Sequence, residues 1–219
     1  MLDRIFSSEN AVFRTINTIG YLWYLNILWV VCSLPIITIG ASTSALVYSC
    51  LKLRNQEGYV TRNFFKSFRD NFKQSTFLFL IYAIVGIILV LDLILGKGTE
   101  GAIGQVVRLG SFVLLFPYCM SLLYVFAIQS KFINTIKNTI FYSFVLAIRH
   151  FKFTLQMLIL MGAVVYFNVM YLLANYITLS IGMGFLGYFL SAYYQRIFAN
   201  YIPENQADVE VDMNHSEEE

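Results

Sequence analysis

The chain has 219 residues, 58% hydrophobic and 13% charged, whereas a soluble domain carries about 25% charged and about 45–50% apolar residues. A water-soluble fold of this size cannot hide so much apolar surface, so an ordinary soluble domain is excluded and the excess must face lipid. The net charge of +2 joins two unlike parts: residues 1–202 hold all fifteen bases and six acids, while 203–219 hold seven acids and no Lys or Arg.

Met1 to Asn10 is polar, and the apolar run after it is too long for a signal-peptide core, so it reads as a retained span over 13–33. Pro35 removes a backbone donor and restricts Leu34, which predicts a break before Gly40. A second apolar segment, rich in small residues, follows over 35–53. It is barely long enough to cross. If it crosses, thirteen of the fifteen bases share one side with both termini, and only Lys97 and Arg108 lie opposite. If it does not, Arg4 and Arg14 change sides and the bias weakens to eleven against four. The positive-inside rule therefore selects six spans with cytoplasmic N- and C-termini in the cell membrane. The remaining spans are expected at 74–96, 103–129, 154–175 and 177–198, paired into hairpins by short outer turns such as Lys97 to Gly101.

Two longer cytoplasmic segments place Phe-x-Ser-Phe a few residues ahead of Phe-Lys. In the first, Phe65, Phe68 and Phe72 recur at helical spacing beside Lys66, Arg69 and Lys73. In the second, Phe141 to Phe144 precede Arg149 and Lys152. Rings at the headgroup boundary with bases on anionic lipid predict interfacial amphipathic helices, and these strips are the candidate lipid or partner contacts. Their likeness also fits an internal duplication. The fold class expected is all-α, a polytopic transmembrane bundle of about six spans with cytoplasmic interfacial helices. Residues 1–202 form one membrane domain, and 203–219 a disordered acidic tail.

Ionisable groups are scarce within the spans. Asp92 and Arg108 lie near the outer boundary, where charge costs little, and are read chiefly as snorkelling groups. Asn26, Gln156, Asn168 and Asn175 are the polar amides; each fits either a helix–helix hydrogen bond or a binding cavity, for which Asn26 and Asn168 are the candidates. Small residues at Gly40, Ala41, Ser44 and Ala45, and at Ser180, Gly184, Gly187 and Ser191, place the second and last spans at the bundle centre. Cys32, Cys50 and Cys119 lack metal or redox spacing and read as buried reduced thiols. No nucleophile elbow, zincin pair or phosphate loop is present, so neither an enzyme nor a bound cofactor or metal is expected. Basic-aromatic strips beside spans point to lipid rather than nucleic acid.

The run from Asn26 to Ala41 resembles the signature of the YesL-like family, N-x-x-W followed by S-L-P-x-x-T-x-G-A. Gly58-Tyr59-Val60, Phe64 to Phe68 and Asn71 to Ser75 resemble its next block, with a weaker likeness through Lys137-Asn138 to Arg196-Ile197-Phe198. The resemblance implies a bacterial membrane protein of a family of unknown function, often encoded beside ABC-type carbohydrate uptake systems and glycoside hydrolases. It carries over no catalytic or binding residues. The function it implies is an accessory to ABC-type carbohydrate uptake, with components of that transporter as partners. The alternative is a transporter in its own right, for oligosaccharides or related solutes. Oligomeric state is not legible from the sequence.

Overall fold

The computed structural model describes residues 11–98 and 102–201, all helix or connecting turn. Arg4, the outer turn beyond Gly98 and the acidic tail lie outside the described residues. Seven helices follow in chain order: α1 (Ala11–Ser33), α2 (Ile39–Asn55), α3 (Val60–Gly98), α4 (Ala102–Lys131), α5 (Ile136–Arg149), α6 (Phe151–Met170) and α7 (Leu172–Phe198). All but α5 are long and apolar enough to cross a membrane, α2 when taken with the short 3-10 turn Ile36–Thr38 before it, which makes this a multi-pass membrane protein.

Helix α2 is the hub, packing on α1, α3, α4 and α7. Its small residues explain why: Gly40, Ala41, Ser42, Ser44, Ala45 and Ser49 are all buried, and their size lets neighbouring backbones close in. The last helix uses Gly184, Gly187 and Ser191 in the same way, whereas Ser180 faces outward. Among the cysteines, Cys50 is buried and Cys32 and Cys119 half-buried, all three as free thiols.

The expected interfacial helix at 64–73 is not a separate element. It runs without interruption into the span, making α3 a rod of 39 residues, or ~58 Å. No Gly or Pro occurs between Val60 and Val85 to break it. Val60, Phe64, Ser67, Ser75, Leu78, Tyr82 and Leu89 form its buried stripe. The second strip is divided, because the chain leaves helical geometry at His150 (φ −108°, ψ 39°) between α5 and α6. The final turn also moves. It falls at the extended Tyr171 rather than near Tyr176, and Asn175 donates from Nδ2 to the Asn168 carbonyl at the end of α6 (2.8 Å).

The α1–α2 connection is apolar at its tip and largely bonded within, the buried Ser33 hydroxyl being left without a hydrogen-bond partner among the described residues. Leu34, Ile36 and Ile37 are exposed. The Thr38 hydroxyl donates to the Cys32 carbonyl (2.6 Å), the Thr38 amide donates to the Pro35 carbonyl (2.8 Å), and Trp29 Nε1 donates to Thr43 Oγ1 (3.2 Å). This tip meets α3 at Ser75 and Phe79, so about 19 residues of α3, or ~28 Å, continue past it. A turn with an apolar tip and most of its polar groups bonded internally is suited to hydrocarbon. A cysteine at Ile36 (69% exposed) is accordingly expected to resist a membrane-impermeant maleimide. One at Tyr59 (73% exposed), at the far end of the same hairpin, reacts readily. The comparison requires a background lacking the three native cysteines, and equal labelling would place the Ile36 tip in water.

Candidate functional site

Most of the described bases gather at one end. Arg54 crosses to α7, with Nη2 donating to the Tyr188 carbonyl (2.7 Å) and Nε to Ser191 (3.2 Å), and Lys52 pairs with Glu57 (2.6 Å). Arg14 lies near the α2–α3 turn, sharing a cavity with Gly58 and Tyr59. Between α3, the end of α4 and Tyr48 of α2 opens a cleft of about 950 Å³. Among the described residues its walls carry Lys66, Arg69, Lys73 and Lys131 against a single carboxylate, Asp70, with the rings of Phe68, Phe72 and Phe132 between them.

Helix geometry arranges these groups. Lys66, Arg69 and Lys73 recur at i, i+3 and i+7 along α3 and fall on one side of it. Phe68 stands between Phe64 and Phe72, 6.3 Å and 5.4 Å from their ring centres. Gln129, buried at the floor, ties three helices together: Nε2 donates to Asn71 Oδ1 (3.1 Å) and Gln74 Oε1 (2.7 Å), and Oε1 accepts from Thr139 (3.3 Å). A cationic, ring-lined cleft with a fixed floor can hold an anionic group beside apolar surface.

The structure thus brings together five of the candidate contact residues: Lys66, Phe68, Arg69, Phe72 and Lys73. Phe65 is exposed on α3 but does not line the cleft. Arg149 and Lys152 are exposed at the α5–α6 junction, where the Arg149 guanidinium stands 5.4 Å from the Tyr201 ring centre. His150 Nε2 lies 3.1 Å from the Tyr201 hydroxyl. Burial, aided by Arg149, holds that imidazole below its usual pKa, so it is neutral at neutral pH. Lys131, Phe132, Tyr48 and Gln129 are not among the residues that sequence reasoning singles out. They come from other helices, and only the Gln129-Lys131 pair at the end of an apolar run hints at them.

Asn26 and Asn168 meet the same stretch of α7, a π-helical turn over Thr178–Gly182. Asn26 is 1% exposed. Its Nδ2 donates to the Leu179 carbonyl (2.7 Å) and its Oδ1 accepts from the Gly184 amide (3.1 Å). Those two backbone groups are five residues apart, the spacing of a π-type bond, so the carboxamide is spliced into the ladder where the helix widens. Asn168 donates to Thr178 Oγ1 (3.0 Å) and to the Val164 carbonyl (2.8 Å). Both amides therefore serve helix packing. At the opposite end, Asp92 accepts from Ser111 (3.1 Å), while Arg108 is exposed.

The two strips also place hydroxyls alike. Ser67 and Ser143 are buried, and each Phe-Lys pair is followed two residues later by a buried hydroxyl bonded to a preceding helix. These bonds are Ser75 to Ser44 (2.9 Å) and Thr154 to Tyr124 (2.8 Å). Ser75→Ala is expected to cost about 1 kcal/mol, in line with interhelical hydroxyl bonds in membrane bundles. Thermal unfolding in detergent reads that loss, and an unchanged midpoint would show the pair contributes nothing.

The N-x-x-W block staples α7 and bonds Thr43, and S-L-P-x-x-T-x-G-A builds the apolar tip, where Thr38 bonds the Cys32 carbonyl, so the signature residues hold the α1–α2 hairpin in shape. Residues 22–93 match DUF624, described as a protein of unknown function. This is the family to which YesL-like proteins belong. The DUF624 match takes in most of that hairpin and the α3 wall of the cleft, but not the wall supplied by α4. Comparison with curated proteins and with solved structures found no match.

Proposed function

We propose that this protein is an accessory of ABC-type carbohydrate uptake, with its basic end in the cytoplasm and the cleft between α3 and α4 as its docking face. The cleft is the observation that carries the docking part of this reading: Lys66, Arg69, Lys73 and Lys131 line it together with Phe68, Phe72 and Phe132. Cationic and aromatic groups together favour an acidic, partly apolar partner surface. The carbohydrate element rests on the YesL-like resemblance, and the sidedness on the positive-inside rule. A transporter needs polar groups open to solute along its path, whereas the amides of Asn26 and Asn168 are bonded to α6 and α7.

Affinity purification from native membranes in mild detergent, after growth on inducing sugar, tests the proposal. Recovery of permease or solute-binding components is expected, with loss on the combined K66E, R69E and K73E replacement. If the intact protein recovers no such component, the accessory reading fails. Movement of a labelled oligosaccharide by purified protein in liposomes would favour the transporter instead.

A further inference from the structure

The bases of the cleft lie beside apolar, outward-facing helix. Phe64, two residues before Lys66, is in one packed cluster with Leu22 and Leu25 of α1, whose other faces expose Ile16, Ile19, Trp23 and Ile27. Cations at the level of a lipid-facing hairpin are drawn to the membrane boundary and attract anionic groups there.

The last helix passes the edge of the cleft at Phe198, and three residues later Tyr201 lies against Arg149 and His150 at the α5–α6 junction. Phe198 packs edge-on against Phe132, with ring centres 5.1 Å apart. Phe198 and Ala199 share a cavity of about 150 Å³ with Tyr48 and Lys131, which also line the cleft. Beyond Tyr201 come seven acids. Asp208, Glu210 and Asp212 alternate there with Val209, Val211 and Met213. In an extended strand the three acids fall along one edge, about 6.6 Å apart, with the apolar side chains along the other. The bases Lys66, Arg69 and Lys73 are spread over ~10 Å of α3. Seven residues from Tyr201 to Asp208 reach up to about 23 Å.

We propose that the acidic segment 204–213 docks in the basic cleft of its own chain, acids toward the bases and Val209, Val211 and Met213 toward the phenylalanine rings. The tail then acts as an intramolecular latch that an outside partner must displace. Tethering favours it over a free competitor, because a short linker sets an effective concentration in the millimolar range. The regulatory consequence rests on the docking reading given above; the contact itself does not.

Zero-length carbodiimide coupling of the full-length protein in nanodiscs, read by mass spectrometry, tests the contact. Carboxylates of 204–213 are expected to couple to Lys66, Lys73 or Lys131 within one molecule, well above coupling to Lys137 and Lys152. Those two lysines have the same charge and lie outside the cleft, Lys137 on α5 and Lys152 close to the Tyr201 contacts at the α5–α6 junction, so they control for simple attraction and for nearness to the tail's root. Raising salt to about 1 M, where the screening length falls to ~3 Å, weakens the preference. A second measurement places a nitroxide on V211C in a background lacking the native cysteines. The label is expected to be immobilised with the cleft intact, and to become mobile when K66Q, R69Q and K73Q are added. Even coupling across all lysines, coupling only between molecules, or a mobile label beside the intact cleft overturns the proposal. Coupling seen in neutral lipid but lost in anionic lipid assigns the cleft to headgroups and also overturns it. Specific coupling without recovery of a transporter component leaves the latch standing and rejects only the accessory reading.

Discussion

Asn26→Leu is expected to destabilise the protein by about 2–4 kcal/mol, because it strips partners from two buried backbone groups at once. The Leu179 carbonyl and the Gly184 amide both bond the Asn26 side chain, which is almost wholly buried. Leucine keeps the branched outline of asparagine, and its bulkier methyl groups add an overpacking cost to the lost bonds. Asn168→Leu is the natural comparison. Its amide is half-buried and bonds a carbonyl of its own helix and one hydroxyl, so a loss nearer ~1 kcal/mol follows. Unfolding midpoints of both variants in the same detergent decide the matter. Equal losses would mean that the splice into the π-helical turn has no special weight.

Gly40→Ala is expected to cost as much or more, at about 3 kcal/mol or above, with reduced accumulation in the membrane. A Cβ at Gly40 would collide with the Ser75 carbonyl oxygen and sit 2.6 Å from Phe79 Cβ, so backbone itself must move. The same substitution elsewhere has the opposite sign. Gly20, Gly110 and Gly162 have nothing within 4 Å of a built Cβ, and alanine there gains up to about 1 kcal/mol of helix propensity. One chemical change thus separates close helix approach from intrinsic preference. A Gly40→Ala protein as stable as Gly162→Ala would show that α2 and α3 do not approach as described.

The sequence is most informative where one helix carries its own signal. The small residues of α2 mark it as central without reference to any partner, and apolar length alone locates the long helices. Reading fails where a local signal has two physical meanings. Lys66, Arg69 and Lys73 beside phenylalanines suggest an in-plane helix, yet nothing in 60–85 can bend the chain, so the strip stays coaxial with the span. The turn at Tyr171 carries no Gly or Pro, and its cap is a side chain from a later residue, Asn175. The cleft is half legible. Its α3 wall is a contiguous pattern, whereas Gln129, Lys131 and Phe132 join it only through packing of α4. Asn26 stands out as a polar residue in a span, but its partners are more than 150 positions away.

The offset between the α1–α2 tip and the far end of α3 bears on how the protein meets its bilayer. A slab laid over the apolar part of α3, from Ser75 to Gly96, is ~33 Å thick and leaves the hairpin near one boundary. A slab lowered to cover the hairpin takes in Lys66, Arg69 and Lys73. The hydrophobic belt is therefore stepped, lower around α1 and higher around the distal halves of α3 and α4. A stepped belt creates hydrophobic mismatch that a flat bilayer relieves by tilting the protein or thinning beside the hairpin, at fractions of a kcal/mol per Å. Bilayer thickness and curvature thus become variables to which this fold is mechanically coupled, and the side that must yield is the one holding the cleft.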